Sequence, residues 1–488
     1  MMGQQSKQTQ WWSEPVNVFA RIPEDHLLRR LNRVLDLEFI RAEVVDKYGR
    51  NGQVSVDPVV IMKMMLLLFL DDVKSERELM RIIPLRLDYL YFLGYGLEDA
   101  VPNHSVLSKA RQRWGKEVFE RLFARTIEQC WQAGLIAGDK VHVDASLIRA
   151  DASLNSVMAV KQAMAKLAEN STDEPVERKD DDEEPPTSSG KVNDELLVLT
   201  DPDATVVRHR TGKSVPSYKN HRVLDDRAGV ITALQTTTGA VHESSTLMSL
   251  IDEHMETVGR KPRAVIADSG YGTTANFLAL AQRGIRAHVA DLRSRLHNVR
   301  QEGIFAAEEF VYNAATDTFG CPSGQTLYWH HHHAGRGYDE YRTRKGVCQG
   351  CTLRAQCTRA KAGRTLKRYP GQELLDRARR QSHGPAARRD RKRRQWFQER
   401  NFGEAAVEHG FKRARWRGLW RQQIQDLLIA ALQNLKIYLR KANGNGPDGR
   451  RRDRGVTEGL RALLIAFRAV SLPLLRPPPF ISFVAQPI

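Results

Sequence analysis

The chain has 488 residues, 41% of them hydrophobic, with 75 Lys/Arg against 58 Asp/Glu and a formal net charge of +17. That length exceeds one ordinary core and calls for about three domains, or one large domain with insertions. The positive charge is concentrated, with 20 Lys/Arg against 6 Asp/Glu between Arg359 and Arg421, so a polyanionic partner is indicated, either nucleic acid or an acidic membrane surface. Residues 1–12 contain no apolar signal-peptide region, and the most apolar early run, Val59 to Leu70, is broken by Lys63. It falls short of the roughly 20 residues that span a bilayer. A soluble, cytoplasmic protein with no membrane partner is expected. Five cysteines in so long a chain argue against a disulfide-stapled secreted scaffold.

In chain order, apolar residues recur at helical spacing over Glu24 to Tyr48 and Asp57 to Asp72, and Ser75 opens a further helix that stops at Pro84. Pro102-Asn103-His104-Ser105 caps Val106 to Trp114, which sets Lys109, Arg111 and Arg113 on or near one polar side. Two readings of this segment stand: a helix-turn-helix whose basic helix enters a DNA groove, or an ordinary amphipathic helix. Val118 to Ala133 continues as helix. Residues 1–135 are thus expected to form an all-helical N-terminal domain that binds DNA.

Val141 and Val143 alternate with polar residues and predict a strand that ends at Asp144, after which the chain leaves the strand and a helix-like run follows from Ser156 to Ala168. The acidic tract at about 171–195 cannot bury a core and reads as a disordered insertion. Strand signals return at His221 to Leu224 and Val230 to Thr237, spaced as a hairpin. Ser245 to Val258 is helical. Ala264 to Ala267 is a buried β-branched run that closes in Asp268-Ser269-Gly270-Tyr271-Gly272, and a helix (Thr274 to Arg283) and a strand (Ile285 to Ala290) follow. The order predicts a mixed α/β sheet carrying two aspartates at strand ends.

Residues 293–389 form an insertion with its own signature: Cys321-Pro322-Ser323-Gly324, then Cys348-x-x-Cys351, then Cys357. Four such cysteines in a reducing compartment can hold a structural Zn²⁺ tetrahedrally and organise a small zinc-ribbon-like subdomain; reduced, unliganded thiols are the competing reading. Cys130 reads as a core residue and His330 to His333 as an exposed loop. After the basic run Arg377 to Arg394, the residues Leu419, Ile424, Leu427, Leu428, Ala431, Leu432 and Leu435 have the spacing of one buried helical face. Residues 441–488 read as a linker and C-terminal tail.

Taken together, Val143-Asp144-Ala145-Ser146, Ala150-Asp151-Ala152, Thr200-Asp201-Pro202-Asp203-Ala204, Tyr218-Lys219-Asn220-His221 and Ala267-Asp268-Ser269-Gly270-Tyr271-Gly272 resemble the DDE transposases of bacterial insertion sequences. The resemblance implies a ribonuclease-H-like mixed sheet with flanking helices, an α/β fold whose catalytic domain comprises residues 136–292 and 390–440. It also implies a third acid in a Glu-x-x-Phe-Gly setting, which is Glu399 of Glu399-Arg400-Asn401-Phe402-Gly403, with Glu404 as competitor. Where the family has a lysine beyond the glutamate this chain has Ala406, and Lys412 or Arg413 could substitute.

On this reading Asp144 bridges two Mg²⁺ (or Mn²⁺) ions while Asp268 and Glu399 each hold mainly one, because in-line phosphodiester cleavage needs an activated nucleophile and a stabilised leaving oxygen. Lys219, His221, Arg394, Arg400, Lys412, Arg413, Arg415, Trp416 and Arg417 join Lys109, Arg111 and Arg113 as expected DNA contacts, through phosphates and stacked bases. The implied activity is binding of inverted element ends, hydrolysis of a strand and transfer of its 3′-hydroxyl to target DNA. Such a protein is expected to associate with the nucleoid and to work as a homodimer or larger synapse. A nuclease of the same fold without strand transfer, and a DNA-binding regulator with a decayed triad, are the competing functions.

Overall fold

The computed structural model describes residues 18–49, 55–159, 196–209, 212–291 and 303–441. The acidic tract up to residue 195, most of the helix-like run before it and the tail beyond residue 441 lie outside the described residues. The chain divides into two compact units, Met1–Arg440 and Lys441–Ile488.

Eight helices open the first unit: α1 (Val18–Arg21), α2 (Leu27–Val34), α3 (Phe39–Val44), α4 (Pro58–Leu70), α5 (Glu76–Ile82), α6 (Leu87–Leu93), α7 (Ser105–Trp114) and α8 (Glu117–Gln132). Their ends follow from local chemistry. The Asp57 carboxylate accepts from the Val59 amide at 2.8 Å and Pro58 occupies the first turn of α4; Ser75 caps α5 through the Glu78 amide at 3.1 Å. Ten residues of α4, from Val59 to Leu70, are buried, so this helix is surrounded by others, as an all-round apolar sequence requires. Among the described residues no helix is long and apolar enough to cross a membrane.

The largest sheet among the described residues is built from β1 (Lys140–Arg149), β4 (Thr205–Arg208), β5 (Ser214–Asp225), β6 (Ile231–Thr238), β7 (Ala264–Ala267) and β8 (Arg286–Val289), while β2 (Val157–Ala159) and β3 (Leu196–Val198) form a separate pair. β5 lies antiparallel to both β1 and β6, and β7 and β8 add to β1 in parallel. The resulting order, β6-β5-β1-β7-β8, makes this a mixed sheet. Helices α9 (Leu247–Val258) and α10 (Thr274–Gln282) supply the crossovers.

Residues alternate between two faces of β1. Val141 and Val143 pack with Leu250, Ile251, Phe277 and Leu280 of α9 and α10. Lys140, His142 and Asp144 face the long helix α13 (Pro385–Glu408): Lys140 pairs with Asp390 at 2.9 Å, the Gln398 amide donates to the His142 carbonyl at 3.0 Å, and the His142 ring stacks on Phe397 at 5.2 Å. Behind α13 stands α14 (Leu419–Lys441), whose Ile424, Leu428, Ala431, Leu432 and Leu435 are buried as their spacing predicts.

Fully buried polar groups tie both helices to β5. Arg222 donates to Asn401 at 2.8 Å and Gln433 at 2.7 Å, and Asp426 accepts from Asn220 at 2.9 Å and Thr236 at 2.6 Å. Burial pushes the Asp426 carboxyl up to about 6 and the Arg222 guanidinium down to about 10.

The insertion holds an antiparallel sheet, β9 (Val311–Asn313), β10 (Thr318–Gly320), β11 (Thr326–His333), β12 (Tyr338–Arg342) and β13 (Thr365–Arg368), with a small core of Phe310, Phe319, Leu327, Tyr341 and Leu366. A short α11 (Arg354–Cys357) and then α12 (Gln372–His383) lead into α13.

Four expectations are corrected. Asp144 is not at a strand end: β1 runs on to Arg149, because Ala145 to Arg149 pair with His221 to Ser217 of β5. The helix-like run from Ser156 begins instead as β2, paired with β3. The histidine tract is not a loop but part of β11, paired with β12 from His331 to His333.

The fourth is the division expected at residue 135, which is not a break in packing. Leu31, Ile40, Met62, Phe69 and Phe119 share one core with Ile424, Leu428, Ala431 and Leu435 of α14. Arg30 donates to the Leu439 carbonyl at 2.6 Å, and the His409 ring meets the Phe69 carbonyl at 2.8 Å.

Candidate active site and nucleic-acid contacts

The parallel register of β1 and β7 aligns Lys140 with Ala264 and His142 with Ile266. Continued two residues beyond its last pair, this register sets Asp144 level with Asp268, which lies just past the end of β7. Each carboxylate is held by backbone: Asp144 Oδ1 accepts from the Ala145 amide at 2.9 Å, and Asp268 Oδ1 from the Gly270 amide at 2.8 Å in the turn after β7. From α13, Arg394 donates to Asp144 Oδ2 at 2.7 Å.

Burial pushes the Asp144 carboxyl above its ordinary range, Arg394 and the Ala145 amide oppose that, and the negative charge of Asp268 adds to it. Asp268 is therefore close enough to Asp144 to disfavour its charge.

Two observations fit a cation between such groups. Tyr271 is fully buried and its hydroxyl finds no hydrogen-bond partner, while burial and then the charges of Glu243, Asp144 and Asp268 hold its ionisation well above the ordinary value. A Cβ on Gly270 would stand 3.1 Å from Asp268 Oδ1 and 3.2 Å from Glu243 Oε2, so only a glycine leaves both carboxylates uncrowded here. Sequence reasoning missed both Glu243 and Tyr271. Tyr271 lies inside the motif that follows β7, whereas nothing in the local pattern distinguishes Glu243 from a surface acid.

Glu399 is placed differently. The face of α13 that packs inward carries Ala387, Asp390, Gln398, Asn401 and Ala405, and Glu399, one residue past Gln398, turns away from it. Its carboxylate is exposed and accepts from Gln395 at 3.0 Å. The strongest charges on Asp144 are those of Arg394 and Asp268, and Glu399 is not among them. The competitor Glu404 faces α14, where it pairs with Arg440 at 3.3 Å and Lys436 at 3.9 Å.

The expected DNA contacts separate by burial. Lys109 and Arg113 are exposed on α7, Arg113 lying 4.5 Å over the Tyr48 ring. Arg111 is a correction. It is buried, paired with Glu76 and stacked 3.8 Å over Trp416, so it holds α7 to the core and is not free for a groove. Trp416 packs edge-on against Phe69 at 5.5 Å, and Arg415 is buried in an ion pair with Asp72. Both are structural, against expectation. His221 is likewise buried, between Thr237 at 3.0 Å and Thr246 at 3.2 Å, and burial pushes its ring down to about 3, so it is neutral at physiological pH.

Lys219 donates to the Val241 carbonyl at 2.7 Å and lies 3.9 Å from Glu243. Arg413 and Arg417 are exposed and flank Asp151, at 3.4 and 3.6 Å. Lys412 reaches the Ser146 hydroxyl, two residues along β1 from Asp144. Arg400 lies 5.5 Å from the exposed Trp396 ring. Arg388, Arg389, Lys392 and Arg393 are exposed on the first turns of α13.

In the insertion, Cys321, Cys348, Cys351 and Cys357 line one cavity together with Phe310 and Leu327. All four are free thiols. Burial and then, after the opposing Arg364, the other three cysteines raise the Cys357 thiol. The Gln325 amide donates to Cys321 Sγ at 3.2 Å, and Thr343 Oγ1 lies 3.1 Å from Cys348 Sγ. Among the described residues, however, no three of these sulfurs lie within 4.8 Å of one another. The set that meets this distance is Glu404, Glu408 and His409, where Lys436 and Arg440 already supply positive charge.

Residues 16–113 match the family described as a transposase domain (DUF772), and residues 320–439 match a transposase DDE domain. No curated protein matches. Among solved structures, a piggyBac transposase synaptic complex with hairpin DNA aligns over 91% of this chain and 82% of its own at 10% identity and a TM-score of 0.34.

Proposed function

We infer, for a chain that belongs to the DDE transposases of insertion sequences, an enzyme that binds the inverted ends of its element, hydrolyses a strand and transfers the 3′-hydroxyl to target DNA. The observation that carries this reading is Asp144 in β1 level with Asp268 just past the end of the adjacent β7, each fixed by a backbone amide. The strand order β6-β5-β1-β7-β8, with its first three strands antiparallel, supports the ribonuclease-H-like fold that uses such a pair.

Asp144 and Asp268 would hold Mg²⁺ or Mn²⁺, with Glu399 as the third acid of the proposal. Bound there, divalent ions supply a deprotonated attacking oxygen and charge stabilisation at the leaving one. The chain's own contributions are positional. β1 and β7 fix the two carboxylates, Arg394 neutralises Asp144, and Lys412 brings a further positive charge to the same strand.

Exposed Lys392, Arg393 and Arg400 on α13, and Arg413 and Arg417 after it, are the proposed phosphate contacts. Lys109 and Arg113 on α7 are the proposed sequence-reading contacts. A structural Zn²⁺ on the four insertion cysteines remains part of the proposal, supported by their shared cavity. So does a synaptic dimer, since two ends must be joined.

The test is incubation of the purified chain with end DNA, target DNA and Mg²⁺. Joined products that vanish in Asp144→Asn and in Asp268→Asn are expected. Nicked products without joining would favour the nuclease, and binding with no cleavage the decayed regulator.

A further inference from the structure

We propose that Glu243 is a carboxylate ligand of the same cation site, holding a divalent ion together with Asp268 beside Gly270. This rests on the reading of Asp144 and Asp268 given above. Glu243 opens the short 3-10 turn Glu243–Ser245 between β6 and α9, far from either aspartate in sequence. The fold closes that distance. Glu243 Oε2 and Asp268 Oδ1 both lie within 3.2 Å of the point where a Gly270 Cβ would stand, so both carboxylates approach one point from which only the absence of a side chain keeps them uncrowded.

Two carboxylates that approach one point repel unless a cation lies between them. The protein's own cation serves poorly here: Lys219 stands 3.9 Å from Glu243 Oε1 and spends a hydrogen bond on the Val241 carbonyl. Arg394 is committed to Asp144. Hard carboxylate oxygens from separate elements, with room left for water, are what Mg²⁺ and Mn²⁺ take.

The independent observation is Tyr271. Its hydroxyl is buried, has no partner, and sits in the field of Glu243, Asp144 and Asp268 alike. A buried donor left unsatisfied is costly, and a ligating carboxylate or its water is the acceptor that this position provides for. Outer-shell donors of that kind orient metal ligands.

Mn²⁺ binding to the full chain, followed by electron paramagnetic resonance titration without DNA, tests this apart from activity. Glu243→Gln is expected to weaken Mn²⁺ binding at least about tenfold, and Gly270→Ala to weaken it as well, because the added methyl crowds both carboxylates while removing no charge. Gly270 has no left-handed backbone strain, so the alanine variant keeps the test open should Glu243→Gln fail to fold. Wild-type affinity in both variants, with affinity lost in Asp144→Asn and Asp268→Asn, would overturn the role of Glu243 and leave the aspartate site standing. Wild-type affinity in all four would overturn the site itself.

Discussion

Arg394 and Asp144 meet at 2.7 Å although 250 positions separate them in the chain. The pair is mostly buried, with side chains 15% and 23% exposed, and it is the link by which α13 reaches the acid of β1. Removing the arginine leaves a buried carboxylate beside Asp268 with no counter-charge. Arg394→Met should lower stability by about 2 kcal/mol or more when divalent ions are chelated. Mg²⁺ should restore more of that loss than it adds to the wild type. Thermal melts of both proteins, with chelator and with Mg²⁺, check this; an equal Mg²⁺ response in the two would separate Arg394 from the cation site.

Glu399 and Glu404 are distinguished by their neighbours. If the exposed Glu399 swings to the metals when DNA binds, Glu399→Gln should abolish strand cleavage at unchanged stability. Glu404→Gln should weaken the contact with Lys436 and Arg440 of α14 and cost stability first. Cleavage assays paired with denaturant unfolding decide it. Cleavage that persists in Glu399→Gln would remove it from the triad.

The four basic residues around Trp416 should not behave alike. Replacing the exposed Arg413 and Arg417 with Gln should weaken binding to all DNA sequences and flatten the slope of log K against log salt by roughly one unit for each phosphate no longer neutralised. Arg111→Ala and Arg415→Ala each break a buried ion pair and should cost about 3–5 kcal/mol of stability. Salt titrations on random DNA and urea unfolding separate the two classes. A salt slope unchanged in the Arg413/Arg417 variant would make that surface a solvated face.

Burial pushes the Glu253 carboxyl from its ordinary 4.5 up to about 7, while its Oε1 accepts from the Leu234 amide at 2.9 Å. Between these values the folded chain binds the proton and the unfolded chain does not. This contribution is therefore fully present below pH 4.5 and is lost as pH rises towards 7, on the order of 3 kcal/mol in all. Glu253→Gln does not titrate, so its stability relative to wild type should grow over that window and level off above it. Parallel stability curves from pH 4 to 8 would contradict the assignment.

If the insertion cysteines bind zinc, protein purified under reducing conditions should contain about one zinc per chain, and chelation should loosen β9 to β13 before the main sheet. Metal analysis together with hydrogen exchange measures both. Zinc-free protein with a normally protected insertion would leave the small core around Phe319 and Tyr341 as what holds it.

Asp144 and Asp268 stood out through the apolar runs before them, alternating at Val141 and Val143 and continuous from Ala264 to Ala267, although β1 does not end at Asp144 as the pattern suggested. The cap at Ser75 and the buried stripe on α14 were legible for similarly local reasons. Arg111, Arg415, Trp416 and His221 were misread as DNA contacts because a basic or aromatic residue near a motif looks the same whether another helix covers it or not. What covers them comes from far along the chain, as Arg111 against Trp416 shows. The role proposed for Glu243 was illegible for the same reason: it rests on a close approach to Gly270 that exists only in the folded chain.

The core that Phe69 and Phe119 share with Leu428 and Leu435 bears on how such elements can diversify. The segment that matches the first family and the helix that ends the second are interlocked, so neither can be traded as a cassette between elements without tearing an apolar interior open. If Lys109 and Arg113 read the element ends as proposed, a change of specificity would have to come by point changes at such exposed positions, within a body inherited whole.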